Sequence, residues 1–171
     1  MPAQPPVLGL AAWSGAGKTT LLTRLIPALK TQGIRVGVIK HAHHHFDVDQ
    51  PGKDSYRIRQ SGADQTLVAS TKRMALMVER KTEIEPKLEE LLAWIEPERL
   101  DLVLVEGFRH LDFLKIEIHR PELGKPLLFP EDPNIIAIAS TAALSTDLPC
   151  LDLDDATQIA AFILDSFLRK S

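Results

Sequence analysis

VLGLAAWSGAGKTT, residues 7–20, decides how the rest of the chain is read. Residues 7–12 form a short apolar run that enters a glycine-containing turn. From Lys18 onward Leu21, Leu22, Leu25, Ile26 and Leu29 recur at helical spacing. The segment therefore predicts a strand, a loop and a helix in that order, with Pro27 bending the helix or removing one of its bonds and Gly33 stopping it. Ala12, Trp13, Ser14, Gly15, Ala16, Gly17, Lys18 and Thr19 match the phosphate-loop pattern GxxxxGK(S/T) everywhere but the first position, where alanine stands for glycine. Small residues let backbone N–H groups approach phosphate oxygens, and the helix N-terminus adds its partial positive charge. Lys18 then reaches toward the β and γ phosphates, Thr19 offers its hydroxyl to Mg²⁺, and Thr20 lies within reach of an α-phosphate oxygen. Ser14, Gly15, Ala16, Gly17, Lys18, Thr19 and Thr20 are thus the expected nucleotide-binding residues. An ordinary glycine-rich turn would tolerate other residues at positions 18 and 19.

A phosphate site of this kind needs a second element near the metal. Residues 100–105 are the most continuously apolar strand candidate, and Glu106 follows them. In doubly wound sheets ligands sit at the carboxyl ends of strands, which brings Glu106 and Gly107 to the same edge as the P-loop. Glu106 is expected to hold Mg²⁺ through a water or to orient an attacking water; the plain alternative is a solvated carboxylate at a strand end. Asp101 starts the same strand and receives no role.

Residues 40–54, KHAHHHFDVDQPGKD, concentrate four of the six histidines beyond a second β-branched strand at 34–39, expected to be buried and parallel. Two functional readings compete with a solvated polar loop. Asp47, Asp49 and Asp54, with the loop's lysines, position Mg²⁺ and phosphate, or His41, His43, His44 and His45 bind a transition metal. Alternation along an extended chain points His41, His43 and His45 one way and His44 the other, which favours the magnesium reading, with Asp49 as a metal residue beside Thr19 and Glu106. Asp54 has a second use as the cap of a short helix at 54–60. Arg57 and Arg59 in that helix reach a phosphate or stay on the surface.

Two apolar runs, 66–69 and 74–78, around the polar turn 70–73 predict a hairpin whose exposed edge suits pairing with a second copy. A helix at 87–95, strands at 114–118 and 135–139, a proline-rich connector at 121–133 and a final helix capped by Asp154 or Asp155 complete the pattern. Trp94 is expected in the core. The fold expected is α/β: a P-loop NTPase-like three-layer sandwich with a mostly parallel sheet and an antiparallel hairpin edge, in a single nucleotide-binding domain over 1–171. An Asn-Lys-x-Asp segment, whose aspartate accepts from guanine in many P-loop proteins, is absent; Ser140 is the better-placed base-pocket candidate. Guanine and adenine are therefore not separated by the residues alone.

The net charge of −3 gives no electrostatic support for nucleic-acid binding. The only cysteine, Cys150, fits a reducing compartment, and no run of eighteen apolar residues or basic-apolar leader occurs, so a cytoplasmic protein without membrane contact is expected.

Taken together, residues 11–63 and 101–115 resemble the MobB family of molybdopterin-guanine dinucleotide biosynthesis adapter proteins. The resemblance covers nearly the whole chain and is weak in the connector. It implies GTP as the nucleotide, with Mg²⁺, at most slow hydrolysis of GTP to GDP and phosphate, and a homodimer. It also implies a partner in the MobA-type molybdenum cofactor guanylyltransferase and contact with a molybdopterin-related pterin. Carried over by position, Gly15 to Thr20 are the phosphate-binding residues, with Glu106 near the metal and the histidine-rich loop across the site. Lys18 and Glu106 are the residues expected to serve any catalysis. The rivals are a metallochaperone-type GTPase built on the histidine loop, a small-molecule kinase with Asp47 or Asp49 as base, and an interaction protein with a vestigial loop.

Overall fold

The computed structural model describes residues 4–42, 46–81 and 84–170. Two compact units are present, one made of 1–41 with 88–171 and the other of 42–87.

The first unit is built on a six-stranded sheet. Its strands are β1 (Val7–Ala12), β2 (Val36–Lys40), β5 (Leu102–Glu106), β6 (Lys115–His119), β7 (Ile135–Ser140) and β8 (Cys150–Asp152). Their order is β2-β5-β1-β6-β7-β8, and every neighbouring pair is parallel. Parallel strands are covered on both faces, and the sequence obeys this in layers. Leu8, Leu10, Leu102, Leu104, Ile116 and Ile118 face α1 (Lys18–Thr31) and α4 (Ala156–Phe162), forming the larger core with Leu21, Leu25, Leu29, Ile159 and Ile163. Val103, Val105 and Ile39 face the other way, against α3 (Leu88–Leu92), Phe108 and Phe113. The result is the expected three-layer α/β sandwich. Asp155 caps α4 by accepting from Thr157 N and Gln158 N.

On the second face β5 passes to β6 without a helix. That crossover lies directly on β1: a Cβ at Gly9 would meet Phe113 Cε2 at 2.7 Å. Gly9 is required by that approach. The proline-rich connector covers β6 in the same manner, over side chains that a surface strand would give to water. Lys115, Glu117 and His119 all point to this face and are buried. Lys115 pairs with Asp132 at 2.8 Å, and the Glu117 carboxylate accepts from Leu128 N at 2.8 Å and Phe129 N at 2.9 Å.

The second unit holds α2 (Asp54–Gln60) and the hairpin β3 (Gln65–Ala69) with β4 (Met74–Val78). Several details depart from expectation. Among the described residues the two hairpin strands pair only with each other, as a separate two-stranded sheet. Asp54 is the first helical residue rather than the cap, which is Lys53 and makes no side-chain cap bond. In the first unit β2 is an edge strand with Val38 exposed, because β5 rather than β2 occupies the place beside β1. The helix expected at 87–95 closes after Leu92, and this leaves Trp94 61% exposed instead of in the core. β8, with only three residues after Pro149, had no readable pattern.

Candidate functional site

β1 ends at Ala12 beside the carboxyl end of β5, and α1 starts at Lys18, so residues 13–17 make the turn between them. Gly17 caps α1 at φ +96°, a left-handed conformation that an L side chain pays for. Ala16 drops into the core while Ser14 and Gly15 remain exposed, which anchors the loop and leaves its rim open. Thr20 is exposed, and its carbonyl accepts from Thr23 Oγ1 at 2.8 Å.

Parity along β5 sets the second half of the site. Leu102 and Leu104 face α1, so Glu106 does too. Thr19 Oγ1 donates to Glu106 Oε1 at 3.4 Å, and Lys40 Nζ, at the end of β2, stands 3.4 Å from both Glu106 Oε2 and Thr19 Oγ1. A hydroxyl and a mostly buried carboxylate at this spacing form a hard-oxygen pair of the kind Mg²⁺ shares with phosphate oxygens. The Lys40 ammonium beside them marks the same place as favourable for a cation. The residues present thus fit the ion the motif implies.

Cations surround the loop. Lys18 Nζ donates to Trp13 O at 3.4 Å, and burial lowers its pKa, with Arg109 and Lys40 adding to the depression and Glu106 opposing it. The Arg109 guanidinium lies 4.8 Å from the Trp13 ring and Lys125 Nζ 5.8 Å, while Trp13 Nε1 donates to Pro126 O at 2.8 Å. Arg120 Nε donates to Ala16 O at 3.0 Å. Trp13 thereby ties the loop to the connector, and the site is one where an anion relieves crowding among positive charges. Arg109, Arg120 and Lys125 escaped the sequence reading because they lie in coil beyond β5 and β6, where no periodicity or motif marks them.

Behind the site, Gly107 at φ +110° and Phe108 at φ +54° turn the chain away from β5. The His41 ring stacks on Phe108 at 4.6 Å between centroids, and a Cβ on Gly107 would strike His41 Cβ at 2.6 Å. His41 is a packing residue of this turn. His43, His44 and His45 lie outside the described residues. Among the described residues, no group of three or more His, Cys, Asp or Glu is arranged to hold a metal. Ser140 is buried, with its hydroxyl accepting from Ala142 N at 3.2 Å.

The remaining loop residues belong to the second unit. Asp49 Oδ1 accepts from Gln50 N and Ser55 Oγ, each at 2.9 Å, and Asp49 N donates to Asp47 Oδ1 at 2.9 Å. Arg59 is enclosed by Asp47 and Glu79, with Tyr56 at its face, while Arg57 is exposed. Asp47 and Arg59 therefore form a structural ion pair inside this unit.

Residues 7–141 match the family model MobB, "Molybdopterin guanine dinucleotide synthesis protein B". The molybdopterin-guanine dinucleotide biosynthesis adapter protein of Escherichia coli is 49% identical over 97% of this chain and 95% of its own length. The protein of the same name from Haemophilus influenzae is 44% identical over 94% and 88%. Among solved structures, a MobB homologue from Bacillus stearothermophilus superposes with a TM-score of 0.70 at 25% identity, covering 96% of this chain and 99% of that one.

Proposed function

The chain belongs to the MobB family, and from that premise we propose that it is an adapter in molybdenum cofactor biosynthesis that binds GTP and Mg²⁺ and assists attachment of GMP to molybdopterin. The observation that carries the nucleotide part is the meeting of Thr19 and Glu106 at the mouth of a P-loop whose lysine is half-buried nearby. Ser14 to Thr20 cradle the phosphates with backbone N–H groups and hydroxyls, Lys18 neutralises the β and γ oxygens, and Thr19 and Glu106 hold the ion. When bound, Mg²⁺ would supply neutralisation of phosphate charge.

Hydrolysis is slow on this reading. Glu106 is taken up with the ion, and no other described side chain stands out to position a water. The protein then acts in the cytoplasm beside a MobA-type guanylyltransferase and a pterin, holding nucleotide more than consuming it. No helix among the described residues is long and apolar enough to cross a membrane. A homodimer through the second unit accompanies this reading, supported by exposed apolar residues on both hairpin strands, Leu67, Val68, Met74, Leu76 and Val78. Asp49 remains a proposed metal neighbour, by way of the loop that carries it.

The test is calorimetry with a nucleotide panel, with and without Mg²⁺ and including molybdopterin-guanine dinucleotide. GTP binding strengthened by Mg²⁺ is expected. Absence of any triphosphate binding in the presence of Mg²⁺ would overturn the reading.

A further inference from the structure

A triphosphate site that discriminates between purines needs a group that reads the base, and the sequence lacks the Asn-Lys-x-Asp segment that commonly does so. The structure supplies equivalent chemistry elsewhere. β6 flanks β1 on the side away from β5, and its carboxyl end continues as Arg120, Pro121 and Glu122. Arg120 is seated on the P-loop itself. Its Nε donates to Ala16 O at 3.0 Å, and its guanidinium packs against Gly17, within 3.6 Å of where a Cβ there would stand.

Pro121 opens a single 3-10 turn, Pro121–Leu123, which places Glu122 beside the end of the next strand, β7. There the Thr141 hydroxyl lies 3.0 and 3.1 Å from the two carboxylate oxygens of Glu122. Ser140 Oγ accepts from Ala142 N and so shapes the loop that presents Thr141. A backbone amide and Thr141 hold the Glu122 carboxyl below its ordinary range, so it is ionised at neutral pH. Glu122 is otherwise exposed. One hydroxyl proton occupies only part of a carboxylate's capacity, and its outward lone pairs stay available.

Guanine carries two donors side by side, N1–H and the 2-amino group, spaced to meet the two oxygens of a carboxylate. Adenine presents an acceptor at N1 and nothing at C2, so the same carboxylate repels it. We propose that Glu122, steadied by Thr141 and carried on a segment whose Arg120 is fixed to the P-loop, reads guanine through N1–H and the 2-amino group. The planar Arg120 guanidinium flanks the purine face. The inference rests on the GTP reading above and names the residues that would make the site guanine-specific.

The experiment is calorimetry on the full chain with the Mg²⁺ salts of GTP, ITP, XTP and inorganic triphosphate, for wild type, Glu122→Gln, Glu122→Ala and Thr141→Val. Wild type is expected to prefer GTP over ITP, which lacks the 2-amino group, and over XTP, whose C2 carbonyl faces the carboxylate. Both Glu122 variants lose GTP affinity by about tenfold or more, since two charge-assisted bonds go. Glu122→Gln gains XTP affinity, because its amide donates to that carbonyl. Thr141→Val, a positioning change, narrows the GTP to ITP ratio. Inorganic triphosphate affinity stays level in all four, which shows the phosphate half intact. Unchanged GTP affinity and GTP to ITP ratio in both Glu122 variants would overturn this inference alone. Failure of wild type to bind GTP, ITP, XTP or triphosphate would instead overturn the nucleotide reading and this one with it.

Discussion

Replacing Glu117 by alanine tests whether the connector over β6 is held by a buried carboxylate. The side chain is fully buried, and its oxygens are the acceptors for Leu128 N and Phe129 N at 2.8 and 2.9 Å. Hydrogen bonds to a charged acceptor contribute about 1.5–3 kcal/mol each, so both together represent about 3–6 kcal/mol. Against that stands the cost of burying the charge. Burial raises the Glu117 pKa above 4.5 even though the two amides and His119 pull it down, so desolvation of the ionised form outweighs what those bonds return. Glu117→Ala removes that burial cost together with the bonds but leaves Leu128 N and Phe129 N without their acceptor, at about 1–3 kcal/mol each, so a net loss near 2–3 kcal/mol is expected at pH 7; Glu117→Gln, which keeps one acceptor and carries no charge, should lose near 1 kcal/mol. Urea unfolding followed by circular dichroism measures both. The pH dependence adds an independent check. With the folded pKa raised, the native state binds more protons than the unfolded one, so this group's contribution is full below 4.5 and is lost as pH rises through the folded value. Glu117→Gln lacks that slope, and its deficit relative to wild type should shrink as pH rises. A Glu117→Ala protein within 0.5 kcal/mol of wild type, about the scatter of ordinary surface substitutions, would refute the reasoning.

Lys18→Ala should lower GTP affinity by about a hundredfold while thermal unfolding stays close to wild type, because the side chain gives up one long bond to Trp13 O and no core packing; calorimetry and a melting curve together decide it. Gly9→Ala pushes a methyl to 2.7 Å from Phe113 and 2.9 Å from Lys115 Cγ and should cost about 1–3 kcal/mol. In a double-mutant cycle with Phe113→Ala, a combined loss smaller than the sum is the expected sign, and strict additivity counts against a clash. Asp101, which the sequence left without a role, holds Arg35 through bonds of 2.7 to 3.0 Å, and its pKa is lowered to about 2. Its stabilisation is present above 3.8 and declines as pH falls toward about 2. Asp101→Asn should flatten the acid limb of the stability profile there, by under about 1 kcal/mol since the pair faces solvent; an acid titration of unfolding that superposes on wild type would contradict it.

The parts of the fold written in local code were legible. Residues 7–20 carry a motif in which each position has a task, and Glu106 follows an apolar run whose parity fixes its direction. What stayed hidden depends on partners distant in the chain. Lys115, Glu117 and His119 alternate with isoleucines and read as the wet face of a strand. They are buried only because the connector returns over them, and no periodicity announces a coil that covers a sheet. Trp94 invited a core assignment by its size, yet α3 ends too early to bury it. Arg120 stands just before a proline-rich stretch that composition marks as a linker, and only the order of strands brings it to the P-loop. His41, weighed as a transition-metal ligand in the reading that was set below magnesium, stacks on Phe108, a residue 67 positions away that no local pattern ties to it.

The placement of β1 between β5 and β6 also governs when the protein becomes complete. Both sheet neighbours of the strand that leads into the P-loop lie about a hundred residues further along, a separation that slows folding because loop closure must precede the reward of pairing. Until β6 is synthesised, β1 has an open edge, and Arg120 has not arrived to meet Ala16. The nucleotide cradle therefore matures only after β5 and β6 have been made, although its own residues precede them in the chain.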